Sequence, residues 1–176
     1  IFGAGPIGLM LMMLGKGFYA VDKVIIVEPS QARRDMALRL GADVVIDPNN
    51  EDPVAEVMNI TDNQGAQAIF TACPVIETHK QAIKMVAKRG VVNFFGGVPK
   101  NEPEIPLLSN FIHYREAYIT GSHGSTPEQH AQALDMIASK TIDVSSLISE
   151  SVPLSKIMEG LELAASGRLA KVIITP

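Results

Sequence analysis

The chain has 176 residues, 47% of them apolar and 19% charged, and carries a net charge of −4 at pH 7. That balance fits a globular protein with one full core and excludes a disordered chain, while an acidic sum without any Lys/Arg run argues against a nucleic-acid partner. The single cysteine, Cys73, excludes an internal disulfide framework and fits a reducing, cytoplasmic setting; no apolar run reaches the ~20 residues that span a bilayer, so no membrane partner is expected.

Strand-like apolar runs alternate with helix-length amphipathic stretches, the pattern of a parallel α/β sheet. The chain opens without methionine at Ile1-Phe2, which reads as the stump of a first strand and hence as a fragment. A helix follows over Pro6–Tyr19, its proline suited to a first helical turn. The β-branched run Val24–Glu28 is a buried second strand, and Ser30 is placed to cap a helix reaching Leu40, closed by Gly41. Val44–Ile46 is a third strand, closed by Asp47-Pro48-Asn49-Asn50. Next come a helix over Pro53–Met58, a strand over Ala68–Thr71 and a helix over Val75–Lys88. Arg89-Gly90 then turns the chain into a fifth strand, Val91–Phe95. Beyond a connection carrying Pro99, Pro103 and Pro106 lie a short helix over Leu108–His113 and a sixth strand over Ala117–Thr120. The rhythm changes after Gly121: helices at 127–139 and 153–166, a short strand between them, and a closing strand at Val172–Ile174. The boundaries are therefore 1–121 for a first α/β domain and 122–176 for a return segment that packs onto something else.

Gly3-Ala4-Gly5-Pro6-Ile7-Gly8 fits G-x-G-x-x-G between a strand and a helix. The first glycine permits the tight turn, the second lets backbone approach a pyrophosphate, and the third lets helix and strand pack closely. The helix start offers free N–H groups and a partial positive charge. Glycine-rich turns also arise for purely structural reasons. Glu28, 20 residues beyond Gly8 at the tip of the second strand, sharpens the signal, because a carboxylate there accepts hydrogen bonds from both hydroxyls of an adenosine ribose. It also favours NAD over NADP, since a 2′-phosphate would meet a buried negative charge. Arg33 can lie over the adenine, touch the ribose, restore some tolerance of a 2′-phosphate, or belong to a solvated helix face; Arg34 beside it reads as solvated.

These residues and the segments after them resemble the zinc-type medium-chain alcohol and polyol dehydrogenase family, over nearly the whole chain. The motifs are the glycine turn, Arg39-Leu40-Gly41-Ala42-Asp43 before the third strand, Phe95-Gly96-Gly97-Val98, Ile119-Thr120-Gly121-Ser122-His123-Gly124, and the closing stretch Pro153 to Pro176. The Gly-Ser-His-Gly wording is similar to sorbitol-, threonine- and sugar-alcohol-type members. The resemblance implies a doubly wound, six-stranded parallel Rossmann sheet of order 3-2-1-4-5-6, followed by an α/β return segment of the catalytic domain. It puts Ile7 at the pyrophosphate, Glu28 and Arg33 at the adenosine, and Thr71, Ala72 and Cys73 near the adenine or a ribose. Gly96, Gly97, Val98, Gly121, Ser122 and His123 would frame the nicotinamide. Cys73 stands where many relatives carry glycine.

In that family the zinc ligands and the proton-relaying hydroxyl lie upstream of the glycine turn, where the metal acts as a Lewis acid on the alcohol oxygen. No pair among His79, His113, His123 and His130 has zinc-site spacing, so neither metal ligands nor catalytic residues are assigned within these residues. His123 reads as a loop histidine at a domain junction, with a proton relay as the alternative. The implied function is the NAD-binding portion of a zinc-dependent dehydrogenase of a secondary alcohol or polyol, the fragment alone being inactive. The alternatives are a zinc-free NADPH-dependent reductase of the same superfamily and a non-catalytic nucleotide-binding module. An unpaired sixth strand invites a second copy, and the family joins subunits through that edge, which implies a homodimer or homotetramer.

Overall fold

A computed structural model of the chain describes residues 1–101 and 103–176. The helix α1 (Pro6–Gly17) starts with proline at a position whose N–H would have no helical partner, and buries Gly8, Leu9 and Met12. It stops two residues before Tyr19, because Phe18 and Tyr19 stand 52% and 71% exposed and Ala20 takes a φ of 49°. There follow β1 (Ile25–Val27), α2 (Gln31–Arg39), β2 (Val44–Ile46), α3 (Pro53–Ile60), β3 (Ala66–Phe70) and α4 (Ile76–Lys84). The first half closes with β4 (Val86–Phe94), α5 (Ser109–Arg115) and β5 (Tyr118–Gly121). Asp52 caps α3, its carboxylate accepting from the Val54 amide at 2.9 Å.

β1 and β2 pair in parallel, with Ile25 opposite Val44; β3, β4 and β5 form a second parallel set in that order. Phe2 bridges both sets, pairing in parallel with Val27 on one side and Thr71 on the other. Adjacent residues of β1 point to opposite faces. Val27 joins a core with Phe2, Ile46, Val57, Ile69, Met85 and Val92, whereas Ile26 joins Leu9, Met12, Val24, Ala37 and Leu147. Helices α3 and α4 thus cover one face, and α1 and α2 the other. This is an α/β Rossmann-like arrangement.

The strand after α4 differs from expectation. The helix ends at Lys84 and β4 begins at Val86, because Val86 and Ala87 are core residues, 1% and 6% exposed. Arg89, with φ of 59°, and Gly90 form an irregularity inside β4 rather than its boundary, at the point where the register with β3 shifts between Ala66 and Ala68. A Cβ on Gly90 would stand 2.8 Å from Val86 Cγ2. Ser30 occupies the position preceding α2 but makes no side-chain cap.

The return segment contains α6 (Pro127–Ala138), β6 (Ile148–Pro153), α7 (Ile157–Ala165) and β7 (Lys171–Thr175). Short 3₁₀ turns at Val144–Leu147 and Leu154–Lys156 were not foreseen. β6 and β7 pair in parallel across α7, a βαβ unit. The segment also touches the first half: Leu147 is buried beside Leu9 and Met12, and Gly167 receives a hydrogen bond from Arg33. Among the described residues no helix is long and apolar enough to cross a membrane.

Candidate functional site

The three glycines of the turn have different causes. Gly3 has a φ of 96° and donates its N–H to Val27 at 2.8 Å. A Cβ on Gly8 would lie 1.9 Å from the Gly3 carbonyl, so only glycine lets helix and turn meet. Gly5 has neither reason: its φ is −74°, and nothing lies within 4 Å of where its Cβ would sit. The protein's own packing does not demand glycine there. No side chain caps α1, so the first-turn amides of Ile7 and Gly8 have no capping side chain to bind.

Glu28 lies beside this turn, 4% exposed. Its Oε2 accepts from the Ala4 amide at 2.8 Å and its Oε1 from the Ser30 amide at 2.9 Å. A carboxylate has about four acceptor positions, so two remain for another donor pair. Arg33 donates through Nε to the Gly167 carbonyl at 2.7 Å, tying α2 to the return segment. Arg34, read above as solvated, is instead buried at 7% exposure. It sits three residues from the fully buried Ala37 and so shares its inward face. The guanidinium donates to the carbonyls of Glu28 and Pro29, both at 2.8 Å, and pairs with Asp47 at 2.9 Å. Asp47's carboxyl is held below its ordinary range, chiefly by the Asn49 amide, with Asn50 and Arg34 adding to it.

The remaining candidate turns continue the arc. Thr71 is fully buried; Ala72 donates to the Phe2 carbonyl at 2.9 Å, and its own carbonyl lies 3.1 Å from the Cβ position of Gly3. Gly96 donates to Thr71 at 2.6 Å, and a Cβ on it would stand 2.7 Å from the Cys73 carbonyl. Cys73 is half-buried, its Sγ 3.5 Å from Thr78 Oγ1. Ser122 N–H reaches the Phe94 carbonyl at 3.4 Å, and Asn93 donates to Ser122 Oγ at 2.8 Å. From Glu28 through Gly3, Ala72 and Gly96 to Ser122, the predicted residues therefore follow one another along the carboxyl ends of parallel strands. Gly97 and His123 lie exposed on the same loops, Gly121 exposed at the end of β5 and Val98 half-buried.

Three participants were missed. Ala4 supplies an amide to Glu28. Asn93 anchors Ser122, and its Oδ1 is buried without a donor among the described residues. His79, 5% exposed, has Nε2 3.1 Å from both Thr71 Oγ1 and the Gly96 carbonyl, with its ring stacked on Phe94 at 4.3 Å. Burial pushes its pKa down, the Gly96 carbonyl opposing in part. The signal for His79 was its helical register with the buried Ala82 and Ile83.

Among the described residues no three His, Cys, Asp or Glu side chains gather as a metal site would require. The zinc-binding dehydrogenase family model matches residues 6–139. The chain belongs to this zinc-binding dehydrogenase family. Among similar proteins, scyllo-inosose 3-dehydrogenase of Thermotoga maritima is 33% identical over 98% of the chain and 44% of its own length. L-threonine 3-dehydrogenase of Thermococcus kodakarensis is 31% identical over 100% of the chain and 50% of its own length. The chain thus spans about half the length of the curated relatives it matches. A short chain alcohol dehydrogenase from E. coli CFT073, solved with NADH, superposes with a TM-score of 0.87 at 23% identity, covering 99% of this chain and 51% of that one. That likeness shows the fold.

Proposed function

We propose that this chain is the NAD-binding portion of a zinc-dependent dehydrogenase moving hydride between a secondary alcohol or polyol and nicotinamide. The observation that carries the reading is the Glu28 carboxylate, held by the Ala4 and Ser30 amides with acceptor capacity left beside the open flank of Gly5. The donor set fits a dinucleotide: amides of a helix start for the diphosphate, and an acceptor-only group for the ribose hydroxyls. Glu28, Arg33 and Ile7 would hold the adenosine and diphosphate, with Gly3, Gly5, Pro6 and Gly8 shaping the turn beneath. Thr71, Ala72 and Cys73 would line the middle, and Gly96, Gly97, Val98, Gly121, Ser122 and His123 the nicotinamide end. The nicotinamide ring supplies the hydride-accepting carbon; the residues here bind it, orient it and choose its face.

The Phe2 bridges support reading the two strand sets as one six-stranded sheet of order 3-2-1-4-5-6, with residues 122–176 as the return segment of a catalytic domain. We place the zinc ligands outside these residues, as the resemblance implies, and infer a secondary alcohol or polyol from the threonine and inosose dehydrogenases named above. The exposed edge of β5 would join a second copy into a homodimer or homotetramer, and the lone thiol suits a cytoplasmic setting.

Calorimetric titration tests this reading. NAD is expected to bind more tightly than NADP, and Glu28→Ala to weaken NAD by at least about tenfold, since a hydrogen bond to a charged group is worth ~1.5–3 kcal/mol. The same preparation is expected to form no NADH from a polyol. Equal affinities for the two dinucleotides, or unchanged affinity in the variant, would reject the assignment.

A further inference from the structure

The Thr71–Cys73 turn and the loop after β4 meet over His79, a residue to which the dinucleotide reading gives no role. Three elements converge on its ring. Thr71 comes from the end of β3, His79 from the second turn of α4, and Gly96 from beyond β4, where Phe94 supplies the stacking face. The Gly96 carbonyl can only accept, so in the neutral ring Nε2 must carry the proton, and Thr71 Oγ1 shares it. No other side-chain donor reaches either group among the described residues, although the Gly96 amide itself is bound to the Thr71 carbonyl at 2.6 Å. The loop is thus held at its amide by backbone and at its carbonyl by His79. Without the ring N–H, Gly96 keeps one tether of two.

A dinucleotide lies across the point where strand order reverses, with one nucleotide on each half of the sheet. Glu28 belongs to the β1–β2 half. Gly96 belongs to the β3–β4–β5 half, which would receive the second nucleotide. We infer that His79 is a positioning residue: through the Gly96 carbonyl and Thr71 it fixes the loop against which the nicotinamide half of the cofactor rests, and it leaves the adenosine half untouched. The inference rests on the NAD-binding reading above and adds to it an unforeseen residue with a ligand-selective effect.

Two variants and two ligands separate this role from general support of the fold. His79→Phe keeps the ring that stacks on Phe94 and removes its hydrogen bonds; His79→Gln keeps an N–H donor for Gly96 and Thr71. The ligands are NADH and ADP-ribose, the latter lacking the nicotinamide. His79→Phe is expected to weaken NADH by about tenfold, the order of one buried acceptor left unmet, while ADP-ribose affinity stays within about twofold of the parent. His79→Gln is expected to restore NADH affinity. Equal loss of both ligands in His79→Phe, including loss through misfolding, overturns the inference; so does no loss, or a His79→Gln variant as impaired as His79→Phe. If the parent chain binds neither ligand, it is the NAD-binding reading that fails.

Discussion

Gly5 and Gly8 are the same residue type, three positions apart, held for different reasons. A methyl group on Gly8 would overlap the Gly3 carbonyl at 1.9 Å, and on Gly5 it would point into open space. Gly8→Ala therefore has to displace backbone and is expected to lower the unfolding midpoint. Gly5→Ala meets no clash, its φ of −74° suits any L-residue, and the narrower unfolded ensemble should leave stability unchanged or raised by ~0.4–1 kcal/mol. If the space beside Gly5 belongs to a diphosphate, the same alanine weakens NADH. Paired urea melts and titrations read both effects. A Gly5→Ala chain that is both stable and unimpaired in binding would show that the opening serves no ligand.

At the level of elements, the tip of β1 is shaped by a side chain that looked dispensable. Arg34 satisfies the carbonyls of Glu28 and Pro29 and pairs with Asp47, so it fixes the bend that delivers Glu28 to the Ala4 amide. Its neighbour Arg33 makes one bond, to Gly167. Arg34→Met should leave the Glu28 carbonyl without its side-chain donor, while Pro29 keeps Asn49 Nδ2 at 3.5 Å, and cost roughly 1–3 kcal/mol for the carbonyl left unsatisfied; Arg33→Met should cost less. Urea midpoints that rank the two variants the other way would reject this account. The neighbouring arginines also mark what could be read from sequence. The glycine turn and Glu28 were legible because their steric and hydrogen-bonding requirements are local. Arg34's burial was legible only in its register with Ala37. The end of α4 was not, because Val86-Ala87 satisfies an apolar helix face and a buried strand equally, and what decides is pairing with Ala66 on β3. His79 and Asn93 escaped for the same reason: Gly96 and Ser122 lie 17 and 29 residues away.

For the molecule as a whole, Phe2 joins two strand sets and His79 ties the loops above one of them, so protonating that ring bears on folding as well as binding. Burial lowers the folded-state pKa of His79 from its ordinary 6.5. The unfolded chain therefore takes up a proton, as pH falls through 6.5, that the folded chain refuses. Stability present above that pH is lost progressively as pH falls toward the depressed folded value. The lowered carboxyls of Asp43, Asp47, Glu116 and Asp143 act the same way, but only below their ordinary values of 3.8 to 4.5, which leaves the higher window to His79. Between about pH 7 and about pH 5 the urea midpoint of the parent should fall more steeply than that of His79→Gln, because glutamine has no proton to gain. Parallel curves would mean that the imidazole ionises as freely folded as unfolded, and that the hydrogen bond to Gly96 is not the closed, dry contact from which its positioning role follows.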